Sequence, residues 1–198
     1  MQTAEIENYI TRYIQEVKNT LDILNVNKKT EIIEIIKILN QARLQKKQIF
    51  IFGNGGSGST ASHFACDLAK GTIASGKSRF KAIALTDNMP QILAWANDSS
   101  YDDIFKEQLE NLMDAGDIAI GISGSGNSKN VLKALEYAKL HGIAIGFSGF
   151  EGGKMKTVTH INLVVDNNNM QQIEDIHLLI EHLITSIIRN LNIGEKSC

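Results

Sequence analysis

The sequence predicts an α/β protein: a five-stranded parallel sheet with helices on both faces, preceded by an N-terminal helical extension. Three observations carry this. From Gln48 onward, short apolar runs alternate with stretches of helical period, the pattern of strand–helix–strand units in a parallel sheet. Two of those runs end in turns rich in Ser and Gly that lead into helices, as expected where a parallel sheet binds a ligand at its carboxyl edge. Before Gln48 only helical period is present.

The elements follow in order. Ile6, Tyr9, Ile10, Tyr13, Ile14 and Val17 recur at three and four, as do Ile32, Ile35, Ile36 and Leu39. Residues 1–45 are therefore expected as a helical pair, broken at the polar stretch Asn25 to Lys29, within a single domain spanning 1–198. Strands are expected at Gln48–Phe52, Arg79–Leu85, Asp117–Ile122, Ile143–Phe147 and Ile161–Val165. Helices are expected at Ser57–Lys70, Pro90–Asn97, Tyr101–Met113, Asn130–His141, a short Gly152–Lys156 and a long Gln171–Leu191. The last helix carries apolar residues on more than one stripe, from Ile173 to Leu191. One stripe suits the sheet and the surplus suits a neighbouring subunit.

Composition narrows the function. The chain has 198 residues, enough for one domain with a sizeable core. A net charge of −2 gives no electrostatic case for nucleic acid or an anionic membrane surface. No apolar run nears the roughly 20 residues of a membrane span, and the polar, acidic start does not read as a signal peptide. The expected compartment is cytoplasmic. Cys66 and Cys198 make no disulfide framework.

The chemistry is concentrated at the turns. Gly53-Asn54-Gly55-Gly56-Ser57 and Ser123-Gly124-Ser125-Gly126-Asn127-Ser128 each link a strand to a helix, so backbone N–H groups and a helix dipole point at an anion. Neither holds the Gly-Lys-Ser/Thr of a P-loop or the dinucleotide fingerprint. Neutral hydroxyls and amides suit a small phosphorylated ligand. His63 and Asp67 lie four apart on one face of the helix after the first turn. The last helix brings Glu174, Asp175, His177, Glu181 and His182. Imidazoles and carboxylates on two helices fit either a divalent metal site or an acid–base pair beside a carbonyl. Glu174 and His182 are separated by about 12 Å of helix rise, so joint ligation requires an irregular first turn or a second subunit.

These residues resemble the phosphoheptose isomerases of the sugar isomerase (SIS) domain superfamily. The resemblance begins at Gly53-Asn54-Gly55-Gly56-Ser57 and His63-Phe64-Ala65 with an acid at 67. It continues through Leu85-Thr86-Asp87, Ala96-Asn97-Asp98, Asp103-Ile104-Phe105, the second serine turn and Ser148 to Met155. It ends in the acid–His pattern of Glu174 to His182. It implies an SIS-type, flavodoxin-like sandwich and a homotetramer with helical core and active sites at subunit interfaces. The implied reaction turns sedoheptulose 7-phosphate into D-glycero-D-manno-heptose 7-phosphate, the first step towards activated heptose for lipopolysaccharide or capsule. By position, Ser57, Ser123, Ser125 and Ser128 would hold the phosphate, with Gly55, Gly56 and Gly124 in the same turns. Asn54, Asn97 and Asp98 would hold sugar hydroxyls or shape the pocket. His63, Asp67, Glu174 and His182 would bind one Zn2+ per subunit, Glu174 also bordering the substrate, and Asp67 with His182 would transfer protons through an enediol.

The chain departs from the family at four places. Asp67 stands where Glu is usual, Glu174 where Gln is usual, Gly71 in place of an Arg after the acid, and Gly124 where Thr is common. The first two could tune metal affinity or substrate preference. An isomerase for another sugar phosphate, and a non-catalytic phosphosugar-binding or regulatory protein, are the alternatives at this stage.

Overall fold

The computed structural model of the chain describes residues 3–190. The two N-terminal helical periods become α1 (Thr3–Asn27) and α2 (Lys29–Leu44), parted at Lys28 within the expected polar break. Five strands follow: β1 (Gln48–Gly53), β2 (Lys81–Ala84), β3 (Ile118–Ser123), β4 (Ile143–Gly149) and β5 (Ile161–Val165). All neighbours pair in parallel, in the order β2-β1-β3-β4-β5. This is the flavodoxin-like order, whose switch point lies between β1 and β3. The three central strands are buried on both faces, which explains their unbroken apolar sequences.

The connecting helices are α3 (Gly55–Cys66), α4 (Met89–Asp98), α5 (Lys106–Leu112), α6 (Lys129–His141), α7 (Met155–Val158) and α8 (Met170–Asn190). One core layer joins α2, α3 and α8 to the sheet through Ile35, Leu39, Phe64, Ile173, Ile180 and Ile184. The other joins α5 and α6 to the opposite face through Phe105, Leu109, Val131 and Leu135. α1 buries only Thr20 and Leu24 in this chain. No helix among the described residues is long and apolar enough to cross a membrane.

Several boundaries differ from the sequence expectation. The strand expected over Arg79–Leu85 pairs only from Lys81 to Ala84, because Leu85–Asp87 closes into a 3-10 turn. The helix expected over Tyr101–Met113 splits into a 3-10 turn, Tyr101–Asp103, and α5. Ser100 caps the first piece, its Oγ accepting from the Asp102 N–H at 3.1 Å. The helix expected over Ser57–Lys70 starts earlier, at Gly55, and its end widens into a π-helical turn, Asp67–Gly71. The short helix expected at Gly152–Lys156 lies at Met155–Val158, displaced by Gly152 and Gly153, whose φ angles of 84° and 56° belong to a turn. Leu191, the expected end of the last helix, and Cys198 lie outside the described residues.

Candidate active site

The two serine turns meet at the switch point. Gly53 ends β1 with no room for a side chain: a Cβ there would stand 2.7 Å from the Ile122 carbonyl oxygen and 2.9 Å from Ser57. That close approach brings the ends of β1 and β3, and the turns that follow them, together. Gly55 starts α3 in the left-handed region, at φ 55°. Ser57 and Ser123 are buried, and the Ser123 and Ser128 hydroxyls lie 3.0 Å apart. Ser125 Oγ accepts from the Asn127 N–H at 3.2 Å. Neither α3 nor α6 has a side-chain cap at its start. In α6 the Val131 N–H is taken by Asn130 Oδ1 at 2.9 Å. The N–H groups of Gly55 to Ser57 and of Lys129 and Asn130 point to where an anion would sit, which the helix dipoles also favour.

The second turn is braced from behind. Gly149 N–H donates to the Gly124 carbonyl at 2.8 Å, Met155 N–H to the Gly126 carbonyl at 3.0 Å, and Lys154 N–H to Asn127 Oδ1 at 3.1 Å. This gives the Ser148 to Met155 segment its role: it holds the serine turn in shape. Asn54 is committed to an amide pair. It donates to Asn130 Oδ1 at 2.9 Å and accepts from Asn130 Nδ2 at 2.8 Å, while Tyr101 donates to the same Asn54 oxygen at 2.9 Å. Asn130 and Tyr101 were not expected from sequence. Their signal was positional only, Asn130 being near the start of α6 and Tyr101 following Asn97 and Asp98.

A second constellation lies two turns further along α3. His63 and Asp67, one turn apart, face Glu181 and His182 of the adjoining α8. One potential ligand atom from each of these four residues falls within 4.8 Å of all the others. His63 Nε2 and His182 Nε2 are 3.3 Å apart, and Asp67 reaches them at 3.9 Å and 4.0 Å. Both imidazoles and Asp67 are open to solvent, and Asp67 and His182 line a polar cavity whose wall includes Lys70, Gly71 and Arg189. Asp67 also begins the π-helical turn. Such wide turns recur at functional sites, where they change the angle at which a side chain leaves a helix.

Glu181, one of the last-helix acids noted in the sequence, was not among the four residues the resemblance assigned to the metal. It is fully buried, and neither carboxylate oxygen has a hydrogen-bond partner. Its Oε1 lies 3.3 Å from His182 Nε2 and 3.8 Å from His63 Nε2. Burial pushes its carboxyl up to about 8, and the negative charge of Asp67 adds to the rise. An orphaned buried carboxylate facing two imidazoles and a second carboxylate is a donor set suited to a divalent cation.

The other expected residues are placed elsewhere. Glu174 does not join the four. Its carboxylate lies against Gly56, where an added Cβ would come 2.7 Å from Oε1, so Glu174 borders the first serine turn instead. Eight residues of α8, about 12 Å of rise, separate it from His182. Asn97 and Asp98 end α4, exposed, with Asn97 Nδ2 donating to Asp98 Oδ1 at 2.7 Å. Gly124 lies under Met170 and Ile173 of α8. His177 is a core residue: fully buried, with Nε2 3.1 Å from the Ser148 carbonyl oxygen and its ring beside Phe147. Burial lowers its pKa to about 4, against a smaller rise from the Ser148 carbonyl.

Comparison with known proteins gives a consistent picture. A family model described as SIS domain matches residues 12–147. The phosphoheptose isomerase of Aliarcobacter butzleri is 42% identical over 155 residues, covering 78% of this chain and 82% of that one. That of Sulfurimonas denitrificans is 36% identical over 194 residues, covering 96% and 98%. Among solved structures, a phosphoheptose isomerase from Neisseria gonorrhoeae superposes with a TM-score of 0.85 at 26% identity, covering 92% of this chain and 98% of that one. One from Francisella tularensis gives 0.81 at 30% identity, covering 95% and 98%.

Proposed function

We propose a reaction for a chain that belongs to the SIS domain family and, within it, to the phosphoheptose isomerases: the aldose–ketose interconversion of a seven-carbon sugar phosphate. The substrate is sedoheptulose 7-phosphate, the product D-glycero-D-manno-heptose 7-phosphate, and the step belongs to heptose biosynthesis. The observation that carries this reading is the pairing of an anion site with an acid–base cluster along one helix. Two uncapped helix starts, with Ser57, Ser123, Ser125 and Ser128, accept the phosphate at one end of α3. His63, Asp67 and His182 stand at the other.

The residues then divide the work. The serine hydroxyls and helix N–H groups bind the dianion without a cationic side chain. Asp67 takes the proton from C1, beside the C2 carbonyl. The electron pair left behind forms the C1–C2 double bond, and O2 gains a proton from the His182 side. Return of a proton to C2 and loss of one from O1 gives the aldose, so the net composition is unchanged. General acid–base assistance of this kind contributes about 10²–10⁴ in rate. His63, Asp67 and His182 would hold a divalent ion, which we take to be zinc; when bound, it polarises the carbonyl oxygen. The SIS domain takes in the whole chain, with residues 1–45 packing in the oligomer. Support for a homotetramer comes from the apolar face that α1 leaves uncovered.

The test is incubation with sedoheptulose 7-phosphate in D2O, followed by NMR. Appearance of the aldose with deuterium at C2 is expected. No turnover and no exchange, with or without added zinc, would leave a phosphosugar-binding protein without chemistry.

A further inference from the structure

We infer that Glu181 is a metal ligand, the fourth that one chain supplies with His63, Asp67 and His182, and that Glu174 of the same chain is not. This rests on the reading of the cluster as the metal site of an isomerase. The geometry is specific. Four ligands about 2.0–2.1 Å from a tetrahedral zinc stand roughly 3.3–3.4 Å from one another. The His63–His182 and Glu181–His182 separations are both 3.3 Å. Of the four remaining edges, His63–Glu181 is 3.8 Å, Asp67 Oδ1–His63 3.9 Å and Asp67 Oδ2–His182 4.0 Å, and Asp67–Glu181 lies within 4.8 Å; side-chain rotations can close them towards that value.

The burial of Glu181 is the second, independent observation. A carboxylate with no exposed surface and no hydrogen bond is costly in any folded protein, and it is retained where something compensates it. No Lys or Arg makes an ion pair with it among the described residues; its two partners are the imidazoles that also face Asp67. Two carboxyl groups and two imidazoles converge on one point, a donor set whose carboxyls, once ionised, a divalent cation neutralises. Glu174 has neither property. It is partly exposed and lies beside Gly56, at the start of α3, whereas the cluster begins at His63, about 10 Å of helix rise away.

The test is cobalt titration of metal-free protein, read by visible absorption, in the parent and in Glu181→Gln and Glu181→Leu. The parent is expected to give the intense bands of four-coordinate cobalt. Glu181→Gln should bind at least tenfold more weakly and lose that spectrum. Glu181→Leu should melt higher than the parent when both are metal-free, because the buried carboxylate is gone, and should gain little on adding metal. Parent-like cobalt binding by Glu181→Gln and Glu181→Leu overturns the inference. So does a parent that binds no cobalt. A Glu181-dependent cobalt spectrum in a protein that turns over no sugar phosphate upholds the ligand and defeats the reaction instead.

Discussion

Asp67 is the residue on which the chemistry turns. It is half-buried between two imidazoles at the widened end of α3 and far from the serine hydroxyls that hold phosphate. Asp67→Asn should therefore lower kcat by at least about 10²-fold while inhibition by inorganic phosphate stays within about twofold. Asp67→Glu should retain activity, since one added methylene keeps the base in the open cavity; steady-state kinetics on both variants decide this. His177 makes the opposite kind of contribution, to stability. Its folded pKa of about 4 lies below the ordinary 6.5, so between those values the unfolded chain binds more protons and stability falls as pH falls. At pH 5 the loss relative to pH 7 should be about 2 kcal/mol, and His177→Leu should remove that part of the slope in urea midpoints. His63, Asp67 and His182 were legible because their spacing and types are chemical signals in themselves. Glu181 was legible only as one of several acids on the last helix. Which of them faces His63 depends on the contact of α3 with α8, and that contact is tertiary.

At the scale of elements, the strands that flank the site were legible almost to the residue, because β1, β3 and β4 are continuous apolar runs. The peripheral elements were not. β2 is an edge strand of four residues, and the neighbouring Leu85–Asp87 turn has no strong pattern to separate it from strand. The split before α5 depends on Ser99 and Ser100, whose hydroxyls serve local bonds to Asp103 and Asp102 that periodicity does not register. Glycines, by contrast, were visible but their reasons were not: Gly53 is required by the approach of Ile122 and Ser57, not by a positive φ. Gly53→Ala should consequently push the two turns apart. A loss of about 1–3 kcal/mol is expected from overpacking, with weaker phosphate protection in a thermal-shift assay. An unchanged melting temperature and unchanged phosphate response would contradict this account of the turn.

The whole molecule is the scale at which α1 makes sense. Ile6, Tyr9, Ile10 and Ile14 are 49%, 56%, 52% and 50% exposed in the single chain, a continuous apolar stripe on a helix of 25 residues. A tetramer is expected in light scattering at micromolar concentration, and Ile10→Glu with Ile14→Glu should yield smaller species with the sheet domain still folded by circular dichroism. The topology was legible because strands alternated with helices; the partner surfaces were visible only as surplus apolar residues, without any indication of what covers them. One further consequence follows from the way α3 and α8 run side by side. Gly56 meets Glu174, and seven residues further along both helices His63 meets Glu181, so the two helices advance in step. Phosphate seat and reacting centre are thereby held apart by about 10 Å of rigid helix, a fixed gauge for substrate length. A ketopentose 5-phosphate lacks two carbon–carbon bonds of about 1.5 Å each and falls short of one end when seated at the other. Because an ångström of misplacement can cost about 10²-fold, its kcat/KM should be at least that much lower than the heptulose's. The protein would then count carbons by the length of a helix, before any hydroxyl is read.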